Sequence, residues 1–275
     1  MSVRHWPLLK RAEDLRPLLF ASGFLLYQLL VFILVTDPLE ALLLVGVPHF
    51  LLQVSLMNVQ HISIHHGLFR NRFLEHAFGV VCSLSLGFTR ACFAVDHLQH
   101  HRHYLDPALD TNPCHGDKGA LRRHRYALRH LFTVYPRTWK LALDEGPHVA
   151  REYFGELTAV LVLCLLLALA KPAVALAVFV YPMTYNILAT YYWAHHQHAD
   201  LDIRDPLAAS RTLDNRLFNW LSFNVGYHAA HHYRPGVHWS RLPALHASLR
   251  HRMPAELTLH SIPWLSSEYG PRRSN

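Results

Sequence analysis

Cysteine is scarce in this chain, and what there is forms no motif. The 275 residues hold four, Cys82, Cys92, Cys114 and Cys164, with no C-x-x-C among them. That spacing supports neither a disulfide framework nor a zinc ribbon. No glycine-rich phosphate loop, internal repeat or low-complexity tract occurs, and no H-E-x-x-H, which removes the helical zinc-protease class. Acids are also in short supply, 19 against 26 Lys and Arg, for a net charge of +7. Such an excess suits a membrane face meeting anionic lipid heads and requires no nucleic acid.

Charge is also absent from long stretches. Residues 18–36, LLFASGFLLYQLLVFILVT, carry none, enough for a helix to cross the hydrocarbon core. Residues 39–57 follow after Asp37-Pro38, and a second close pair, 153–170 and 173–193, is broken at Lys171-Pro172. The pattern predicts four transmembrane helices in two hairpins, within a single domain covering 1–275. All Lys and Arg except Lys171 lie in 1–16, 58–156 and 194–275. By the positive-inside rule, both termini and the middle segment face the cytoplasm, the protein lying in the inner membrane if it is bacterial. Glu13 and Asp14 among the first basic residues, and the length of the apolar run, argue against a cleaved signal peptide.

Between the hairpins, residues 74–94 are apolar but interrupted by Arg90, which suits an interfacial or re-entrant helix. Residues 120–141 alternate basic and aromatic faces, as a helix lying on a membrane surface does.

Histidine, by contrast, is abundant, with 24 copies. Three clusters stand out: His61-Ile-Ser-Ile-His65-His66, His97-Leu-Gln-His100-His101 and His228-Ala-Ala-His231-His232. Residues three or four apart share a helix face, so H-x-x-H-H aims three imidazoles at one point. His61 and His65 do the same as an i, i+4 pair, while His66 points elsewhere. Eight imidazoles exceed the four that one zinc commonly uses, so the set implies two metals. Imidazole alone does not choose among iron, copper, nickel and zinc. Carboxylates that could orient the ligands lie nearby: Asp96, Asp106 and Asp110 beside the second cluster, Asp200, Asp202 and Asp205 before the third. Asp106 comes soon after its cluster and is the first choice for that role. His5, His124, His130, His148 and His260 stand alone and read as bystanders.

These motifs resemble those of the membrane fatty acid desaturase superfamily, which also contains alkane hydroxylases and carotenoid ketolases. HISIHHGLF, DHLQHHRHYLDPALD and FNVGYHAAHHYRPGVHWSRLPALH are similar to its three histidine boxes, over roughly residues 55–246. The resemblance implies an all-α membrane protein whose helical cytoplasmic cap carries the boxes. It implies two iron ions on His61, His65, His97, His100, His101, His228, His231 and His232, with O2 as co-substrate. The family usually adds a histidine at the end of the last span, where the chain reads TYYWAHHQHAD. His195 fits that place best, with His196 and His198 as alternatives. Some relatives carry an asparagine four residues before this histidine, where Tyr191 stands here. The third box opens with histidine rather than glutamine, and no haem carrier domain is fused to the chain. The implied electron donor is therefore a separate ferredoxin-type or small haem protein.

The leading expectation is an O2-dependent lipid oxidoreductase, in the first place a fatty acyl desaturase. A lipid, alkane or carotenoid hydroxylase or ketolase of the same superfamily is the alternative. A histidine-rich metal transporter is the competing class, but it would want polar ligands inside the spans. These spans hold little beyond Gln28, His49, Gln53 and Asn186.

Overall fold

The computed structural model describes residues 8–114 and 121–261, so the expectation for His5 and the start of the 120–141 helix lie outside the described residues. The chain is mostly helical, and four helices are long and apolar enough to cross a membrane. They are α1 (Leu15–Leu34), α2 (Pro38–His66), α6 (Pro147–Ala170) and α7 (Pro172–His198). Three helices come between: α3 (Arg72–Leu86), α4 (Arg90–His103) and α5 (Arg122–Asp144). Three short ones complete the set: α8 (Arg216–Leu221), α9 (His228–Tyr233) and α10 (Leu242–Leu249).

The long helices keep their leucines on the outside. Leu19, Ile33, Leu34, Leu51, Leu161 and Leu169 are all more than half exposed. Each such side chain would gain about 1.5–3 kcal/mol on leaving water, so this surface calls for a lipid solvent. The inner faces carry a few polar groups, each with a backbone task. Pro182 has no N–H for the carbonyl of Val178 four residues back, and α7 opens into a π turn over Leu176–Val180. Gln28 Nε2, from α1, donates to that carbonyl at 3.0 Å. Asn186 Nδ2 lies 2.6 Å from the Leu86 carbonyl and 2.8 Å from His49 Nε2, tying α7 to α3 and α2. Lys171 Nζ donates to the carbonyls of Phe32, Ile33 and Val35, closing the C-terminal end of α1.

Two spans outrun their apolar stretches, and this positions the site. Asp37 caps α2, its Oδ1 accepting the Glu40 N–H at 2.7 Å, and Pro38 occupies the first turn. From there α2 continues past the apolar run to His66, and α7 continues past residue 193 to His198. The interfacial segment is two helices rather than one. α3 and α4 meet at 95°. The corner is Gly87, at φ +73°, where a Cβ would stand 2.5 Å from the backbone nitrogen of Met183. Only glycine permits both the left-handed turn and this approach to α7. The corner turns α4, with the second histidine box, across the ends of α2 and α7.

Candidate metal centre

The histidine boxes sit on α2, α4 and α9, and the structure brings them together in two groups. In the first, His61, His65, His97, His101 and His231 each offer one ring nitrogen, all within 4.8 Å of one another. In the second, His100, His198 and His232 do the same, and His228 Nε2 lies 2.9 Å from His198 Nε2. Nine imidazoles thus divide five and four.

The division corrects the expectation that each H-x-x-H-H aims at one point. In the second box the i, i+4 pair His97 and His101 joins the first group, while His100 crosses to the second. In the third box the pair His228 and His232 serves the second group, while His231 crosses to the first. Residues i and i+4 lie within about 40° around a helix, but i and i+3 diverge by about 60° in the other sense. With two centres side by side, that divergence sends the middle histidine to the neighbour.

His195 does not join either group. It is fully buried, with its ring 5.1 Å from that of Tyr126. His198, one helical turn further on, takes the place expected for it, its Nε2 3.3 Å from His100 Nε2. The reason is that α7 runs on to His198 instead of ending near 193. The residue four before His198 is Ala194, so Tyr191 is not the counterpart of the asparagine found in some relatives. Tyr191 instead donates its hydroxyl to Asp96 at 2.7 Å. His196 packs against Trp193, and His66 lies against His238. His130 stacks on Tyr191 at 4.2 Å, outside both groups. His124, His148 and His260 also stand apart from them.

Asp110, not Asp106, reaches a histidine of the boxes. Its Oδ1 lies 2.8 Å from His100 Nδ1, leaving Nε2 of that ring to face the group. Asp106 Oδ1 accepts the Ala108 N–H within its own turn. Asp96 bonds to Arg137, Asn112 and Tyr191. Asp200 pairs with Arg122, Asp202 with Arg204, and Asp205 accepts the Leu207 N–H. The carbonyl of Ala209 lies 3.1 Å from His198 Nδ1 and orients a second ring.

The donor set fits metal. Nε2 atoms of His61 and His97 are 2.8 Å apart, of His97 and His101 2.9 Å, and of His101 and His231 3.1 Å. Two imidazoles bound at right angles, about 2.1 Å from one ion, have nitrogens about 3 Å apart. Nε2 of His65 and of His232 is buried without a hydrogen-bond partner among the described residues, a costly state that a metal bond would relieve. Burial, reinforced by neighbouring imidazoles, pushes His228, His231 and His232 well below the usual histidine range. They are neutral at pH 7, the form that ligates.

Residues just beyond α9 hold it in place. His238 Nε2 and Trp239 Nε1 both reach the buried Asp14 Oδ1, at 2.9 and 3.4 Å, fastening this stretch to the start of α1. A narrow cavity of about 50 Å³ lies beside both groups. Its wall includes Met57, Phe93, Trp193, Phe218 and Val225, with Asn58, Thr190 and Gln197 among them. It lies between α2 and α7 and is bordered by His61, His97, His100, His198 and His228.

Residues 38–263 match the family Fatty acid desaturase. The chain belongs to that family. It is also similar to the sphingolipid delta(4)-desaturase DES1 of Drosophila melanogaster, 28% identical over 251 residues, covering 81% of this chain and 71% of the relative. No solved structure matches. Membership makes the chain a membrane oxidoreductase of the lipid desaturase type, with a lipid as substrate.

Proposed function

We propose that this protein is a di-iron, O2-dependent desaturase acting on a lipid chain. The carrying observation is the division of nine imidazoles into two adjacent groups at the ends of two spans. His61, His65, His97, His101 and His231 would hold one iron, and His100, His198, His228 and His232 the other. Iron bound there would supply the oxidising power, through O2, to take hydrogen from an unactivated C–H bond. The chain's own residues supply the setting. Asp110 and the Ala209 carbonyl fix ring orientations. Met57, Phe93, Trp193 and Phe218 line the cavity beside the histidines and would meet the lipid chain there. We place the four spans as two hairpins, with the boxes, the helical cap and both termini on the cytoplasmic side, as the distribution of Lys and Arg implies. Electrons come from a separate carrier.

The test is metal analysis of protein purified from iron-rich medium, joined to the lipid profile of cells with and without the chain, under air. Two irons per chain and a new double bond are expected. One zinc and no iron would overturn the reading; two irons with a hydroxylated product would move it to the hydroxylase branch.

A further inference from the structure

Two surfaces of this protein are rich in arginine, and they differ in kind. On α5, Arg125, Arg129 and Lys140 are interleaved with Leu128, Phe132, Trp139 and Leu143, which are 51–70% exposed. A cationic helix with a bare apolar stripe lies on lipid. The second surface comes after the third histidine box. No Asp or Glu occurs between Asp214 and Glu256, whereas Arg234, Arg241, Arg250 and Arg252 all do, and all four are exposed. None of the four makes an ion pair among the described residues. Among those residues, no large hydrophobic side chain beyond Trp220 is exposed. A basic face without an apolar stripe has nothing to insert into a bilayer and faces water.

This water-facing surface lies against the metal centre. Tyr233, next to His232 on α9, sits between two guanidinium groups, Arg234 at 5.9 Å and Arg252 at 5.5 Å from its ring. The His232 ring stacks on that of His101 at 4.2 Å, and these two histidines belong to different groups. Along α9, the residue flanked by the two guanidinium groups directly follows the one at which the two histidine groups touch.

We propose that this face docks a small acidic one-electron carrier, an iron–sulfur or haem protein, with Tyr233 at the centre of contact and Arg234, Arg250 and Arg252 meeting its carboxylates. The inference rests on the desaturase reading, which needs such a partner. Making a double bond takes two electrons and two protons from the lipid chain. Reducing O2 to two waters takes four of each. The carrier supplies the other two electrons in successive encounters, and solvent supplies the other two protons. Opposite charge speeds such encounters and makes them sensitive to salt.

The experiment uses the full chain in lipid nanodiscs, driven either by an acidic [2Fe–2S] ferredoxin with its reductase or by dithionite. Arg234→Ala/Arg250→Ala/Arg252→Ala should raise the KM for ferredoxin on the order of tenfold and flatten its salt dependence. Dithionite-driven turnover should stay unchanged. An unchanged KM, or an equal rise in Arg125→Ala/Arg129→Ala, would overturn the docking site. So would a parallel fall in dithionite-driven turnover, which would give the arginines a role in the site's own fold. Turnover with dithionite but none with ferredoxin would overturn the acidic carrier. Failure of lipid oxidation with dithionite in the unaltered protein, by contrast, would strike the desaturase reading itself.

Discussion

The two histidine groups solve the same problem by different means. The first has five donors, and three of them, His65, His97 and His101, are only partly buried. Its rings hold one another: His65 meets His61, His101 and His231 edge-on, with centroids 4.6–4.9 Å apart. Nδ1 of His61 and of His101, like Nδ1 of His228 and His232 in the other group, is buried with no hydrogen-bond partner among the described residues. The second group has four donors, all buried, and two of its rings are oriented from behind by Asp110 and the Ala209 carbonyl. The rings of the second group crowd one another as closely, at 4.5–4.7 Å, so what separates the two is number in the first and outer partners in the second. Redundancy tolerates a loss that preorganisation does not.

The sharpest break in that comparison is to remove a ligand from each. His232→Ala leaves the second group three donors and should cut activity by more than the 10–100-fold usual for losses outside the ligand set. It should also lower the iron content by at least one per chain. His65→Ala leaves four donors in the first group and should retain more iron and more turnover. Equal losses, read as iron per chain beside turnover, would abolish the distinction.

A middle-sized effect belongs to the outer carboxylate. Asp110→Ala should weaken iron binding or activity by about 10–100-fold, because His100 loses the partner that fixes its ring. Asp106→Asn should change neither, and a sensitive Asp106 would mean that the carboxylates have been assigned the wrong way round.

The smallest effect on chemistry should come from His195→Ala. Its ring is fully buried, so the cavity should cost on the order of 3 kcal/mol and lower the melting temperature. Iron per chain should be unchanged, with turnover within a few-fold of normal. Loss of one iron would return the ninth ligand from His198 to His195.

The spans and boxes were readable in the sequence because each has a local signature: an uncharged run long enough for a bilayer, or imidazoles at helical spacing. What was not readable depends on how far a helix runs and how a loop returns. His198 ranks only as an alternative to His195 in the sequence because the apolar pattern fades near 193, whereas α7 continues for another turn and delivers His198 to the site. Asp106 is nearer to the second box along the chain, but α4 ends at His103. The next turn, with the Asp110 N–H on the Asp106 carbonyl at 2.9 Å, brings Asp110 back to His100. The corner at Gly87 left only a glycine in an apolar segment as its sign. The crossing of His100 and His231 had no sign at all, since helical spacing gives directions around an axis and not the position of a second centre.

That crossing has a thermodynamic consequence. α4 and α9 each contribute to both groups, so neither helix can be ordered by one ion without setting donors in place for the other. The first ion to bind would bear the entropic cost of aligning both helices, and the second would find its donors already aligned. Loading should then be cooperative, passing from empty to doubly filled with little of the singly occupied form, and chelation should empty the centre in pairs.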